Sequence, residues 1–220
     1  EPLVGLDHVG VDGEIIIELL LIAEGAKRTL RAGHIEELAL LSAEFFDHPE
    51  TKIKVIGVTG TKGKSTIAEM IRHILEENGI PAASVGTVGV RIGERFTETA
   101  NTTPESYELF RIFSDIEKMG IRHAVIEVSS QGVKLDRIYG IPFHIAVMTN
   151  LSEDHIGDME HPTFEDYKEC KKELFRRTNA AVFNADDDYF EEFSAVAGVP
   201  AYTYSTSEAA DFSAKAISVV

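Results

Sequence analysis

Ten residues constrain this chain more than any others. Gly57-Val58-Thr59-Gly60-Thr61-Lys62-Gly63-Lys64-Ser65-Thr66 follows a short β-branched run, Ile53 to Val58, and precedes a segment in which Ile67, Met70, Ile71, Ile74 and Leu75 recur at helical spacing. A strand that turns through glycines into a helix is the setting a phosphate-binding loop requires. The glycines let successive N–H groups turn toward a polyphosphate, the helix N-terminus adds partial positive charge, and a lysine at position 64 reaches the β- and γ-phosphates. Gly60, Thr61, Lys62, Gly63, Lys64, Ser65 and Thr66 are therefore the expected nucleotide-binding residues, with Ser65 a ligand to Mg²⁺. The commonest spacing of such loops puts a glycine at position 58, where this chain has Val58, so Gly60 carries the turn. The alternative is an ordinary glycine turn, and Gly-Lys-Ser-Thr at the junction argues against it.

The rest of the chain repeats the strand-then-helix rhythm, which predicts an α/β fold with a mostly parallel sheet and flanking helices. A second run covers Ala82 to Val90, followed by Gly93 and a polar Thr-rich segment that reads as a hairpin or a loop. A helix is expected from Pro104 to Met119, with Gly120 as its exit, and another from Phe164 to Arg177. His123 to Val128, His144 to Met148 and Ala180 to Phe183 read as buried strands. Each ends in polar residues: Glu127 and Ser129, Asn150 through His155, and Asn184 through Asp188. In open α/β sheets ligands collect at the carboxyl ends of strands, so these residues are site candidates. Ala201 to Val220 has weak strand character. Residues 1–50 differ from the rest, with an apolar run and then a helix-like segment from His34 to Phe46, and read as a cap or the remnant of another domain. The expected division is thus 1–50 and 51–220.

A formal net charge of -16 argues against general attraction to nucleic acid or to an anionic membrane surface, so any phosphate must be held locally. The apolar run Ile15 to Ala23 is interrupted by Glu18 and falls short of the roughly 20 residues a membrane helix needs. One cysteine, Cys170, makes no internal disulfide and fits a reducing compartment, so the cytoplasm is expected; a monomer is the separate expectation for the assembly. The chain begins with Glu1, and both ends are treated as provisional.

Thr59-Gly60-Thr61-Lys62-Gly63-Lys64-Ser65 resembles the ATP loop of the Mur ligases and their folylpolyglutamate synthetase relatives. Further segments match in the expected order. Asn101-Thr102-Thr103-Pro104 resembles the substrate loop of the UDP-N-acetylmuramoyl-tripeptide synthetases, and Glu127-Val128-Ser129-Ser130 their Glu-Val-Ser-Ser stretch. Thr149-Asn150-Leu151-Ser152-Glu153-Asp154-His155 resembles their Thr-Asn-Leu-x-x-Asp-His. Tyr167-x-x-x-Lys171-x-x-Leu174-Phe175 resembles a helix carrying a carbamylated lysine, and Asn184-Ala185-Asp186-Asp187 an adenosine-side motif. The likeness runs from about Leu38 to Val220.

The resemblance implies a central ATP-binding domain of a ligase of peptidoglycan precursor synthesis. Such an enzyme makes an acyl phosphate on a UDP-N-acetylmuramoyl-peptide carboxylate and couples it to an amino-acid amine. A carboxylate approaching a γ-phosphate brings two anions together, so cations must offset the developing charge. Two Mg²⁺ ions are expected, one on Ser65 and Glu127, hard oxygen ligands suited to it. By resemblance His155 and Lys171 serve the second, Lys171 as a carbamate, which requires a deprotonated amine. Lys64, Glu127, His155 and Lys171 are the implied catalytic residues, and Asn184 and Asp187 join the nucleotide site. Asn101, Thr102, Thr103, Ser129 and Arg137 match positions that contact UDP-N-acetylmuramoyl-dipeptide. Blander readings stand beside these: Glu127 as a strand-end acid, His155 as a surface histidine, Lys171 with Lys168 and Lys172 as a solvated face, and Asp186 to Asp188 as a solvated loop. Two positions depart from the family pattern, Gln131 in place of histidine and Leu135 in place of glutamine. Resembling enzymes also carry an N-terminal uridine-binding and a C-terminal domain, so these residues alone are not expected to complete the reaction. The alternatives are another Mur-like ligase such as folylpolyglutamate synthetase, against which the Asn-Thr-Thr-Pro and Glu-Val-Ser-Ser segments argue, or a nucleotide-binding module without ligase activity.

Overall fold

The computed structural model describes residues 35–154, 156–157, 160–207 and 209–214. The apolar run at 15–23, His155 and the last six residues lie outside them. In chain order the elements are α1 (Ile35–Phe45), β1 (Lys54–Thr59), α2 (Lys64–Glu77), β2 (Ala82–Gly86), β3 (Gly89–Ile92), β4 (Arg95–Thr97), α3 (Ser106–Lys118), β5 (His123–Glu127), α4 (Ser130–Lys134), β6 (Phe143–Met148), α5 (Phe164–Arg176), β7 (Ala181–Asn184), α6 (Phe190–Ala197), β8 (Ala201–Ser205) and β9 (Phe212–Ser213).

Among the described residues one sheet runs in the order β4-β3-β2-β5-β1-β6-β7-β8-β9. Every pairing from β2 through β9 is parallel, and only β3 and β4 add antiparallel strands at one edge. The central strand β1 is buried on both faces after its first residue, which is why its sequence is a continuous apolar run and not an alternating one. On one face α2 lays Ile67, Ala68, Ile71 and Leu75 against Ile56, Val58, Val125 and Val147. The other face packs the larger core, where α3 contributes Leu109, Phe110, Phe113 and Ile116 and α5 contributes Leu174 and Phe175. From β1 the chain first builds outward through β2 and β5, then crosses to β6 and builds the other way. The strand order therefore reverses at β1, and a crevice opens there at the carboxyl ends of the strands.

The structure departs from the sequence expectation at the end of β2, at the start of α3 and in two short helices. The run Ala82 to Val90 is two strands, because β2 stops at Gly86, where the Thr87 N–H donates to Glu127 Oε1 (2.9 Å) instead of continuing the ladder. Gly89, at φ 138°, then starts the return strand β3. The α3 helix opens at Ser106 and not at Pro104, since Thr103 is anchored inward and Glu105 remains extended at ψ 155°. Two short helices, α4 and α6, were not anticipated; α6 ends on Gly198 in the left-handed region (φ 56°).

Candidate active site

The glycine-rich loop closes tightly on its neighbours. Gly60 has φ 145°, and a Cβ there would lie 2.0 Å from Thr149 Oγ1, so only glycine fits. The loop tip is cradled by residues 149–152 at the end of β6. The Thr61 N–H donates to the Asn150 carbonyl (2.9 Å), the Lys62 N–H to Asn150 Oδ1 (2.9 Å), and Asn150 Nδ2 and Thr149 Oγ1 both donate back to the Lys62 carbonyl. Gly63, at φ 80°, turns the chain into α2 with nothing near its missing side chain. Lys64 Nζ folds back on the loop, donating to the carbonyls of Gly60 and Thr61 (3.0 Å each). Burial lowers its pKa, against the opposing pull of Glu127 and Asp154.

Glu127, at the end of β5 and 3% exposed, is the acidic centre of the cleft. Its Oε2 accepts from Ser65 Oγ (2.9 Å) and Thr87 Oγ1 (3.3 Å), and its Oε1 accepts from the Thr87 N–H. Gly86 makes room for it, as a Cβ there would sit 2.0 Å from Oε1. A cleft of about 510 Å³ opens above this pair. The loop lines it with Thr61 through Ser65, the segment before α3 with Asn101 and Thr102, and the turn into α4 with Ser129 and Gln131. Arg137, Glu160 and His161 complete its wall. Arg137 is buried, with Nη1 donating to the Thr103 carbonyl (3.0 Å), Nη2 paired with Glu105 (2.6 Å), and Nε without a partner among the described residues.

Lys171 lies beneath the loop, 2% exposed, and Nζ donates to the Gly60 carbonyl (2.8 Å) over the ring of Tyr167 (4.6 Å to the centroid). Burial holds its pKa well below the ordinary lysine value, with the charge of Lys64 adding to the effect. The solvated-face reading of the helix lysines therefore does not describe Lys171. Lys172 is buried too, but among Glu169 and Glu192. Tyr167, four residues before Lys171, donates its hydroxyl to Thr61 Oγ1 (3.1 Å) and so ties α5 to the loop.

Of the residues singled out from sequence, Thr61 through Ser65, Asn101, Thr102, Glu127, Ser129 and Arg137 share this one cleft. Thr103 does not line it. Its hydroxyl is fully buried, donating to the Glu127 carbonyl (2.9 Å) and accepting from the Ser129 N–H (3.0 Å), which fixes β5 to the segment before α3. Thr66 is exposed on α2. Asn184 and Asp187 lie behind the 149–152 segment: Asn184 Nδ2 donates to the Thr149 carbonyl (3.0 Å), and Asp187 Oδ2 accepts from the Leu151 N–H (2.7 Å). His155 lies outside the described residues. His161, which sequence reading passed over, is 1% exposed on the cleft wall. The signal available for it was a histidine just before the Thr163 cap of α5, a position that aims a loop residue at the helix it precedes.

The family profile of the Mur ligase middle domain matches residues 58–220. A UDP-N-acetylmuramyl-tripeptide synthetase of Bifidobacterium longum is 35% identical over 214 residues, 95% of this chain and 41% of the relative. The 2,6-diaminopimelate-adding UDP-N-acetylmuramoyl-L-alanyl-D-glutamate ligase of Clostridium perfringens is 43% identical over 69% of this chain and 31% of its own length. An Enterococcus faecalis ligase adding L-lysine to the same dipeptide is 38% identical, over 78% of this chain and 35% of its own length. A solved 2,6-diaminopimelate ligase superimposes with TM-score 0.67 at 33% identity, covering 73% of this chain and 34% of that one. A Mycobacterium tuberculosis folylpolyglutamate synthase complexed with ADP shares the fold at 14% identity, with TM-score 0.63 over 88% of this chain and 52% of that one. The chain thus spans between about a third and two fifths of the length of these curated relatives.

Proposed function

The chain belongs to the Mur ligase family through its middle domain, and from that premise we propose that it activates the carboxylate of a UDP-N-acetylmuramoyl peptide with ATP and presents the acyl phosphate to an amino-acid amine. The observation that carries this reading is the Ser65–Glu127 contact at the mouth of the phosphate loop, in one cleft with Arg137. A nucleotide triphosphate on the loop N–H groups would put its γ-phosphate at Glu127, and Lys64 would exchange the Gly60 and Thr61 carbonyls for phosphate oxygens. From the other side Arg137 and Ser129, with Asn101 and Thr102, would bring in the anionic peptide. A guanidinium suits that task because it keeps its charge when buried.

Ser65 Oγ and Glu127 Oε2, 2.9 Å apart, are hard oxygen donors that fit a Mg²⁺ ion. Bound there, the ion would offset charge on the β- and γ-phosphates as the carboxylate approaches. Lys171 fits carbamylation, because its burial favours the neutral amine that reacts with CO₂; its carbamate oxygens, with His155, would hold a second Mg²⁺. On this reading turnover in CO₂-depleted buffer falls and bicarbonate restores it; turnover indifferent to bicarbonate would remove the carbamate. Asn184 and Asp187 serve the nucleotide through the 149–152 segment they hold. The enzyme is read as a cytoplasmic monomer, in keeping with one free cysteine and with no helix among the described residues long and apolar enough to cross a membrane.

Relatives that add 2,6-diaminopimelate and L-lysine are about equally similar, so both amines belong in the test. Phosphate release from ATP by the complete protein should require Mg²⁺ and UDP-N-acetylmuramoyl-L-alanyl-D-glutamate and rise with one of the two amines. Release that ignores every muramoyl peptide but responds to a folate would support the folylpolyglutamate reading instead. ATP binding with no release under any condition would leave a nucleotide-binding module.

A further inference from the structure

His161 has no part in the chemistry above, yet it is oriented as a proton acceptor. Its Nδ1 lies 2.7 Å from Asp166 Oδ2, in the first turn of α5. Lys134 Nζ, from α4, donates to the same carboxylate oxygen and to the Glu160 carbonyl (2.9 Å each). Lys134 first, and His161 second, hold the Asp166 carboxyl below the usual carboxylate range, so it only accepts. Nδ1 therefore carries the proton, and in the neutral ring the lone pair is on Nε2. The ring packs edge-on against Tyr167, 5.3 Å between centroids, the tyrosine that also holds Thr61 and faces Lys171.

Nε2 is buried and has no hydrogen-bond partner among the described residues. Among the residues lining the cleft, only Arg137 shares this condition, through Nε. Buried nitrogens are seldom left unpaired in native proteins unless a ligand or a reacting group completes them. His161, Asp166 and Cys170 also lie close enough to share a soft cation. That reading is the weaker one, because the Lys134 ammonium already occupies the carboxylate and burial disfavours the Cys170 thiolate.

We propose that His161 is a catalytic residue of the second half-reaction, with Nε2 taking a proton from the incoming amine. This rests on the ligase reading of the same cleft. The amine attacks as the free base: its lone pair forms the C–N bond, and the acyl C–O bond breaks with its electron pair leaving on phosphate. The nitrogen, now carrying one proton too many for an amide, passes it to Nε2. Asp166 stabilises the resulting imidazolium and acts as the positioning residue, and Lys134 keeps that carboxylate in place. Among the described residues, Tyr167 and Cys170 also face the ring, and Glu160 precedes it on the cleft wall.

The test uses the complete protein with ATP, Mg²⁺ and UDP-N-acetylmuramoyl-L-alanyl-D-glutamate. It compares amide formation from 2,6-diaminopimelate or L-lysine, whichever is turned over, with hydroxamate formation from hydroxylamine. Hydroxylamine traps the acyl phosphate but, being a weak base, gives an adduct that loses its proton without help. His161→Gln is expected to lower kcat for the amino acid by about 10²-fold or more, with hydroxamate formation within about twofold of the original. Asp166→Asn should give a smaller loss of the same selectivity, restored by Asp166→Glu. Equal losses with both nucleophiles, or no loss with either, would overturn the proposal. Absence of hydroxamate from the unaltered protein would instead sink the ligase reading, and this inference with it.

Discussion

At the scale of the residue, the site depends on a glycine as much as on an acid. Gly86 lies where any side chain would strike the Glu127 carboxylate, with Cδ 2.6 Å from the position of an added Cβ, and its backbone is one that alanine accepts. Gly86→Ala should therefore fold yet displace Oε1 and Oε2 from Ser65 and Thr87. Both Gly86→Ala and Glu127→Gln are expected to lower ATP-dependent phosphate release by about 10²–10³-fold, with little change in thermal unfolding; an alanine variant of full activity would show that the carboxylate's position is unimportant. This dependence could not be read from sequence, where Gly86 is one more glycine after a strand. Lys171 was partly legible, because Tyr167 stands four residues before it. Its difference from Lys168 and Lys172 appears only when α5 is laid under Gly60. Thr103 shows the reverse. It matched a substrate loop by type and spacing, but the β5 carbonyl at Glu127 was the nearer partner for its hydroxyl.

At the scale of the element, strands and long helices were legible because burial on both sheet faces writes continuous apolar runs and α2, α3 and α5 write helical ones. The β2–β3 break was not, since Ala82 to Val90 carries no charged residue and the interruption comes from a tertiary contact, the Thr87 N–H to Glu127. Nor was α4, which at five residues is too short to show a period. The segment at 149–152 links two elements: it holds the loop after β1 and is itself held from the end of β7 by Asn184 and Asp187. Asp187→Ala leaves the N–H groups of Leu151 and Tyr189 without their acceptor. A loss of about 1–3 kcal/mol in denaturant unfolding is expected, together with weaker ATP binding. Unchanged ATP affinity in a destabilised variant would separate the staple from the nucleotide site.

At the scale of the whole molecule, acid is the condition that should undo the fold. Asp166, Glu169 and Glu192 have carboxyls held below their ordinary values, by Lys134, Arg176 and Lys172 respectively as the foremost partners. Asp186 is held down by the Ser205 and Ser207 hydroxyls and the Thr206 N–H, which join β7 to β8. A depressed folded pKa contributes stability that is complete above the unfolded value, near about 4, and is lost as pH falls below it. These carboxyls should thus make Tm decline as pH falls below about 4; a Tm that holds steady from about pH 5 to pH 3 would refute these pairings. Sequence established the acidic balance but not which acids are paired, because partners such as Lys134 and Asp166 are 32 residues apart.

The central claim, that a peptide carboxylate attacks the γ-phosphate in this cleft, leaves a trace in the product. If both oxygens of that carboxylate in UDP-N-acetylmuramoyl-L-alanyl-D-glutamate are ¹⁸O and the complete protein turns over with ATP and its amine, the acyl phosphate route leaves one of them on phosphate. Mass spectrometry of the released inorganic phosphate should find one ¹⁸O for each amide bond made. Phosphate free of label, with amide still formed, would contradict the account.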